Sequence, residues 1–246
     1  MQNNLLNDLK MSTSIYRYMK LKHFTEMIKN RTMRLCKPGK WDDPAENFLN
    51  DVRIISEKGL IGFNVTNDFF AQCWTLKNEC DAFWRIYCCS SSGGVRIQTT
   101  VEKLFKTIWD KRDQYNSLRR FVGKVEYLTD KKLSEYVQKI DQHDHCIYDP
   151  SGKGIAKALL MKRSAFEYEH EVRLLAEYES EKSDYKFINI EPVDFIDDIM
   201  FAPKMSKERY QEESQKLTLA GFSDHIISKS TLYDPWSILI QEQSCI

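Results

Sequence analysis

Two glutamates and an arginine alternate along one short segment, Phe166-Glu167-Tyr168-Glu169-His170-Glu171-Val172-Arg173. Read as a strand, its two-residue period puts Glu169, Glu171 and Arg173 on one face. It sends His170, Val172 and Leu174 the other way, into an apolar layer. Two carboxylates beside a guanidinium are costly to hold together unless solvent or a partner compensates them. Such a group suits a transition state in which positive charge develops on a sugar, since a carboxylate can hold ribose hydroxyls as an oxocarbenium-like centre forms. The competing account is a surface ladder in which Arg173 neutralises both acids.

Tyr16-Arg17-Tyr18 sets an arginine between two rings. Its guanidinium could hold a phosphate or a ribose while a ring stacks on a base; an exposed strand arginine between core tyrosines is the plainer alternative. Cys73-Trp74-Thr75 ends an apolar run just before a helix start, where a hydroxyl usually serves the backbone. Unless a pocket reaches it, Thr75 reads as a turn or capping residue. His143-Asp144-His145-Cys146 has metal-ligand types too closely spaced to converge on one ion and reads as a solvated loop. Lys111, Arg112, Arg119, Arg120 and Lys124 are interleaved with acids, which suits a solvated face better than a nucleic-acid patch. Cys88-Cys89 reads as two buried thiols. No GxxxxGK[ST], GxGxxG, HExxH or GxSxG run occurs.

Elements must position these groups. Residues 15–19 read as a first strand, 21–29 as a helix, 32–36 as a second strand and 41–46, with Asp43-Pro44, as a loop. A strand over 68–75 precedes a helix capped by Asn78 that carries Phe83, Trp84 and Tyr87. Strand 95–99, an amphipathic helix 101–109, strand 121–128 and a helix around 133–140 follow, then a long loop at 141–154. Helical residues 155–163, strands over 169–178, 185–190 and 195–201, a polar helix at 206–220 and a strand near 225–230 complete the chain. This predicts an α+β fold, a mixed and mostly antiparallel sheet with packed helices. One domain spans 1–246, its core at about 15–200 and residues 201–232 completing it.

The totals agree with a compact, ordered chain. Of 246 residues 42% are hydrophobic and 12% aromatic, too apolar for intrinsic disorder. Lys+Arg and Asp+Glu are 36 each, so no net field draws the protein to nucleic acid or membrane. The 7 cysteines are irregularly spaced without a CxxC pair; with a polar N-terminus, and no run near the ~20 apolar residues of a membrane span, they point to free thiols in a reducing cytoplasm.

Taken in order, the motifs resemble a bacterial family known as a domain of unknown function, DUF2971. Its pattern runs Tyr-Arg-Tyr, Asn-Asp-Pro-x-Glu, Cys-Phe-Ser, Trp-x-x-Tyr with a following Gly, then Glu-x-Glu-Tyr-Arg. In this chain those are Tyr16-Arg17-Tyr18, Asp42-Asp43-Pro44-Ala45-Glu46, Cys73-Trp74-Thr75, Trp84 to Tyr87 with Gly93-Gly94, and Glu169-His170-Glu171-Val172-Arg173, over about 15–200. Asp42, Trp74-Thr75 and Val172 depart from the pattern, and Trp74-Thr75 touches a proposed site.

The same order is similar, more loosely, to the Arg…Ser/Thr…Glu-x-Glu triad of ADP-ribosyltransferases. That resemblance implies an ADP-ribosyltransferase-like fold, with NAD as substrate and no metal. It implies that Arg17 holds NAD, Thr75 supports Arg17 or the nicotinamide ribose, Glu171 binds the ribose 2′-hydroxyl and Glu169 activates or selects the acceptor. Phe166 and Tyr168 would face the target, and Tyr16, Tyr18, Trp74, Trp84 and Tyr87 would line the NAD site. Nicotinamide would leave, and ADP-ribose would pass to a protein or nucleic-acid acceptor, or to water. An effector role in phage defence or as a toxin, with a neutralising or activating partner chain, belongs to the same analogy. Two other classes remain open. One is a nuclease whose Asp42, Asp43, Glu46, Glu169 and Glu171 gather a divalent metal. The other is a non-catalytic module binding a nucleotide or a partner protein.

Overall fold

The computed structural model describes residues 2–56, 59–63, 66–88, 93–109, 119–139, 150–179 and 181–236. In chain order the elements are β1 (Leu5–Leu6), β2 (Ser14–Lys20), α1 (Leu21–Asn30), β3 (Thr32–Cys36), β4 (Val52–Ser56), β5 (Gly59–Phe63), β6 (Phe69–Thr75), α2 (Asp81–Cys88), β7 (Gly94–Thr100) and α3 (Val101–Lys106). Next come β8 (Arg120–Lys124), β9 (Glu126–Leu128), α4 (Asp130–Gln138), α5 (Lys153–Ala158), β10 (Met161–Arg163), β11 (Glu171–Glu177), β12 (Tyr185–Asn189), α6 (Pro192–Phe195), β13 (Asp198–Phe201), α7 (Lys207–Leu219) and β14 (Ile227–Lys229). Tight 3-10 turns occupy Pro44–Asp51 and Ser164–Glu169.

Local chemistry sets several boundaries. The hydroxyls of Thr100, Thr129 and Ser206 accept the N–H three residues on and cap α3, α4 and α7. Arg31, at φ 52°, turns the chain left-handed after α1 and returns its N–H to the Ile28 and Met27 carbonyls.

The main sheet runs β1-β8-β11-β6-β2-β7-β13-β14. Its pairings are antiparallel except at the edges, where β1 lies parallel to β8 and β14 parallel to β13. This is the mixed, mostly antiparallel sheet with packed helices that the sequence predicts. β11 sits between β8 and β6, and both its faces are covered. Val172, Leu174 and Ala176 enter the larger core with Phe70, Trp74, Ile97 and Phe105, while Leu175 enters a second core with Phe69, Phe121, Leu159 and Leu160. Among the described residues no helix is long and apolar enough to cross a membrane.

One irregularity matters for function. On the edge of β6 away from β11, the sheet forks: β3 bridges it only at Cys36↔Ala71, and β2 only at Tyr16↔Thr75. Gln72 fills the gap, donating to the Arg34 carbonyl (3.0 Å) and accepting from the Trp74 indole (2.9 Å). Gln72 thus bonds a β3 carbonyl across the gap, where β6 and β3 share only one bridge.

Several boundaries differ from the sequence expectations. The helix expected over 155–163 ends at Ala158, and residues 161–163 pair in parallel with β9. The strand expected over 121–128 breaks at Val125, whose N–H turns to the Glu171 carbonyl. α3 covers six residues rather than nine. The 195–201 segment starts as the end of α6 and becomes β13 at Asp198. Asn78 offers its carbonyl to the Tyr18 hydroxyl (2.8 Å), and α2 begins at Asp81. The hairpin β4–β5 and the strands β1 and β10 were not anticipated. The His143-Asp144-His145-Cys146 run, Lys111, Arg112 and Cys89 lie outside the described residues.

Candidate functional site

The strand expected from Glu169 starts at Glu171, because His170 takes a left-handed turn at φ 43° between them. His170 is exposed, not in the apolar layer. Its carbonyl accepts the Leu76 N–H, and Glu169 ends the preceding 3-10 turn. Glu171 and Arg173 keep the shared face. They stand opposite Thr75 and Cys73 of β6.

This is no surface ladder. Arg173 is 1% exposed and Glu171 6%. Arg173 Nε and Nη2 hold Glu171 Oε1 and Oε2 at 3.1 and 2.9 Å, Nη1 holds the Leu159 carbonyl at 2.6 Å, and Nη2 also reaches Glu46. The Trp41 ring covers the guanidinium with its centroid 4.0 Å away. Glu169 pairs with another cation, Lys162, whose Nζ lies 2.6 Å from Oε2. Solvent-exposed ion pairs contribute about 0–1 kcal/mol, whereas removing one partner of a buried pair costs roughly 3–5 kcal/mol. At this depth the second regime applies.

The charges follow from these surroundings. Burial alone would raise the Glu171 carboxyl; the Arg173 charge and hydrogen bonds, Lys162 and the Cys73 thiol outweigh it and hold it below the usual glutamate range. Glu46 goes the other way, because burial outweighs Arg173 and Lys162, and Glu171 adds repulsion. Burial keeps the Cys73 thiol protonated well above its usual value, so it serves as a donor to Glu171. The Glu171 N–H donates to the Tyr127 hydroxyl (2.8 Å), which fixes the start of β11.

Beside this cluster, where the sheet forks, lies a cavity of about 470 Å³. Tyr16, Arg17, Tyr18, Trp74, Thr75, Tyr87, Glu169 and Glu171 all line it. Arg17 is partly buried and makes no hydrogen bond or ion pair with any described residue; desolvation lowers its guanidinium to about 10. A desolvated, unpaired cation facing a cavity is an anion seat. Thr75 does not bond Arg17. Its hydroxyl donates to the Glu169 carbonyl (2.6 Å) and accepts from the Lys77 N–H (3.1 Å), clamping the turn that carries Glu169.

Trp84 lies away from this cavity. It packs with Tyr18 and Phe83, donates to Glu79 (3.1 Å) and faces a second cavity of about 600 Å³ between α2 and the start of α7. Phe166 joins the first cavity beneath Lys162 and Arg163, and Tyr168 is exposed nearby.

The residue that sequence reasoning missed outright is Lys162. Its strand was read as helix, so nothing pointed it at the glutamates. The Asp43-Pro44-Ala45-Glu46 motif also takes a definite place. Asp43 accepts the Ala45 N–H and both arms of the Arg163 guanidinium (2.8 and 3.0 Å), so the turn Pro44–Asp51 is pinned across the cavity. Asp43, Glu46, Glu169 and Glu171 each carry a cationic partner. Among the described residues no group of three or more His, Cys, Asp and Glu side chains is arranged to hold a metal.

Solved structures of Thermus sp. 2.9 DarT have an overall course similar to this chain. Its complex with ADP-ribosylated ssDNA is 10% identical with a TM-score of 0.40, covering 91% of this chain and 97% of that one. The complex with NAD+ is 10% identical at 0.40, over 90% and 97%. The carba-NAD+ complex is 11% identical at 0.38, over 89% and 96%. No protein of curated function matches the chain. Residues 83–174 match a family model described as "Protein of unknown function (DUF2971)". The matched stretch runs from α2 into β11; it includes Trp84 to Tyr87, Gly93-Gly94 and the Glu169 to Arg173 motif, and stops short of the Tyr16, Asp42 and Cys73 motifs. Across those residues the chain is similar to DUF2971.

Proposed function

We propose that this protein is an ADP-ribosyltransferase-like enzyme that cleaves NAD, releases nicotinamide and transfers ADP-ribose to a macromolecular acceptor. One observation carries the reading: a single cavity is lined both by an unpaired guanidinium, Arg17, and by a buried carboxylate held ionised, Glu171. NAD needs both, a cation for its pyrophosphate and an anion near its nicotinamide ribose. Tyr16, Tyr18, Trp74 and Tyr87 supply flat apolar walls for its rings.

In this reaction the bond from the ribose anomeric carbon to the nicotinamide nitrogen breaks, and the electron pair leaves with nicotinamide. Positive charge spreads over the anomeric carbon and ring oxygen, and Glu171 stabilises it through the 2′-hydroxyl. The acceptor's lone pair then forms the new bond and the acceptor loses its proton to solvent. Glu171 acts mainly in the transition state, so its loss should lower kcat far more than it weakens binding.

The metal-nuclease alternative has less support, since four of the five carboxylates it needs, Asp43, Glu46, Glu169 and Glu171, are each taken by a lysine or arginine. Cys36, Cys73, Cys80 and Cys88 are free thiols, which fits action in a reducing cytoplasm. A defence or toxin role controlled by a partner chain fits the same chemistry. The test is release of nicotinamide from NAD, with and without cell extract as a source of acceptor. Wild type should release it, and Glu171→Gln should lower kcat at least about 100-fold while still binding NAD. Full activity in that variant would remove Glu171 from the mechanism.

A further inference from the structure

Lys162 touches all three acids of the buried cluster. Its Nζ lies 2.6 Å from Glu169 Oε2, 3.3 Å from Glu171 Oε2 and 3.4 Å from Glu46 Oε1. An ammonium has three protons to give and accepts nothing, so these contacts use it fully. Its side chain is 9% exposed and lines the cavity. β10 carries it there, and the Phe166 ring lies 4.8 Å away.

The two glutamates of the motif therefore have unequal surroundings. Glu169 gives Oε2 to Lys162, Oε1 to the Tyr87 hydroxyl (3.2 Å) and its carbonyl to Thr75. Glu171 is gripped by Arg173, with Lys162 as a longer third contact.

We propose that Lys162 is a positioning residue that divides the tasks of the two carboxylates, tying Glu169 down as a structural pivot and holding Glu171 ionised toward the ribose. The proposal rests on the NAD reading above for what Glu171 does, and on geometry alone for how Lys162 disposes the acids. Three carboxylates share two cations, Lys162 and Arg173, in a space closed by Trp41, Tyr87, Tyr127 and Cys73. Without Lys162, Glu169 would lose its cation and Arg173 alone would balance Glu46 and Glu171, so mutual repulsion would push protons onto the acids.

The test uses the full chain, labelled with carboxyl-13C glutamate, as wild type, Lys162→Met, Lys162→Arg and the double variant Lys162→Met/Glu169→Gln. The Glu171 titration is followed by NMR without NAD, and nicotinamide release from NAD is followed against pH. Lys162→Met should raise the Glu171 titration by about one pH unit or more. It should move the acid limb of kcat upward by the same amount, lowering kcat about 10-fold on that limb and little at pH 7, with KM within about twofold. Lys162→Arg should restore most of kcat. The double variant, which removes one charge of each sign, should return the titration close to wild type, and it carries the test if Lys162→Met alone does not fold.

An unmoved Glu171 titration in Lys162→Met, or a double variant as displaced as the single one, overturns the proposal. Titrations that move as stated, in a protein that never releases nicotinamide, would uphold the role of Lys162 and remove the NAD reading instead.

Discussion

Arg17 and Arg173 lie close to one cavity and behave in opposite ways. Arg173 is surrounded by acceptors and stays charged far beyond its ordinary range; burial works against this, and Glu171, Cys73 and Glu46 overcome it. Arg17 has burial without acceptors, and its guanidinium is pulled down to about 10. A charge left uncompensated in the folded state costs stability, and residues kept despite such a cost are the ones function retains. Arg17→Met should therefore leave the thermal midpoint unchanged or raised, and should abolish the stabilisation that ADP-ribose gives wild type. Scanning calorimetry with and without ADP-ribose decides it. A lowered midpoint with ADP-ribose stabilisation intact would show that Arg17 is structural.

At the scale of elements, the short turn Pro44–Asp51 depends on acids to hold it against the sheet. Asp43 bonds Arg163, and Glu46 bonds Arg173 and Lys162. Glu46 and Glu171 titrate in opposite directions from an ordinary value of 4.5. Glu46 is raised, so the folded state holds a proton that the unfolded chain has lost. Its stabilising contribution is complete below 4.5 and disappears as pH rises through its folded value. Glu171 is lowered, so its contribution is present above 4.5 and is lost as pH falls through its folded value. Between pH 7 and the region near 4.5, the Glu46 arm makes the protein more stable as pH falls. Glu46→Gln should flatten that arm in urea unfolding measured across pH. A weaker slope should persist, because burial raises Glu177 in the same sense. An unchanged slope would show that Glu46 does not carry the proton.

Across the whole molecule, the site exists because layers that are distant in sequence close on the fork in the sheet. Gly94 marks one such closure. A Cβ placed there would lie 2.2 Å from the Cβ of Cys88 and 3.2 Å from its Cα. α2, which carries Tyr87 to Glu169, thus packs directly on β7. Gly94→Ala should cost roughly 1–3 kcal/mol in chemical unfolding and should weaken nicotinamide release by displacing Tyr87; an unshifted midpoint would show that α2 tolerates the displacement. Much of this architecture was legible beforehand. Alternation and branched or aromatic runs located β2, β3, β6, β7 and β11, spacing located α1, α2 and α4, and a polar run located α7, because these depend on each residue's own neighbours in the chain. The pairing of Glu171 with Arg173 was legible for the same reason, since a period of two holds in any strand. Burial turned that pair from a ladder into a charge cluster, and burial depends on what covers β11. Lys162, Glu46 and Trp41 reach it from 9 to 132 positions away, through strand pairings and turns that no local pattern encodes. The residues capable of chemistry were fixed by sequence alone; which carboxylate stays ionised, which cation stays unpaired and where the cavity opens were decided by tertiary packing, because charge and desolvation depend on neighbours in space.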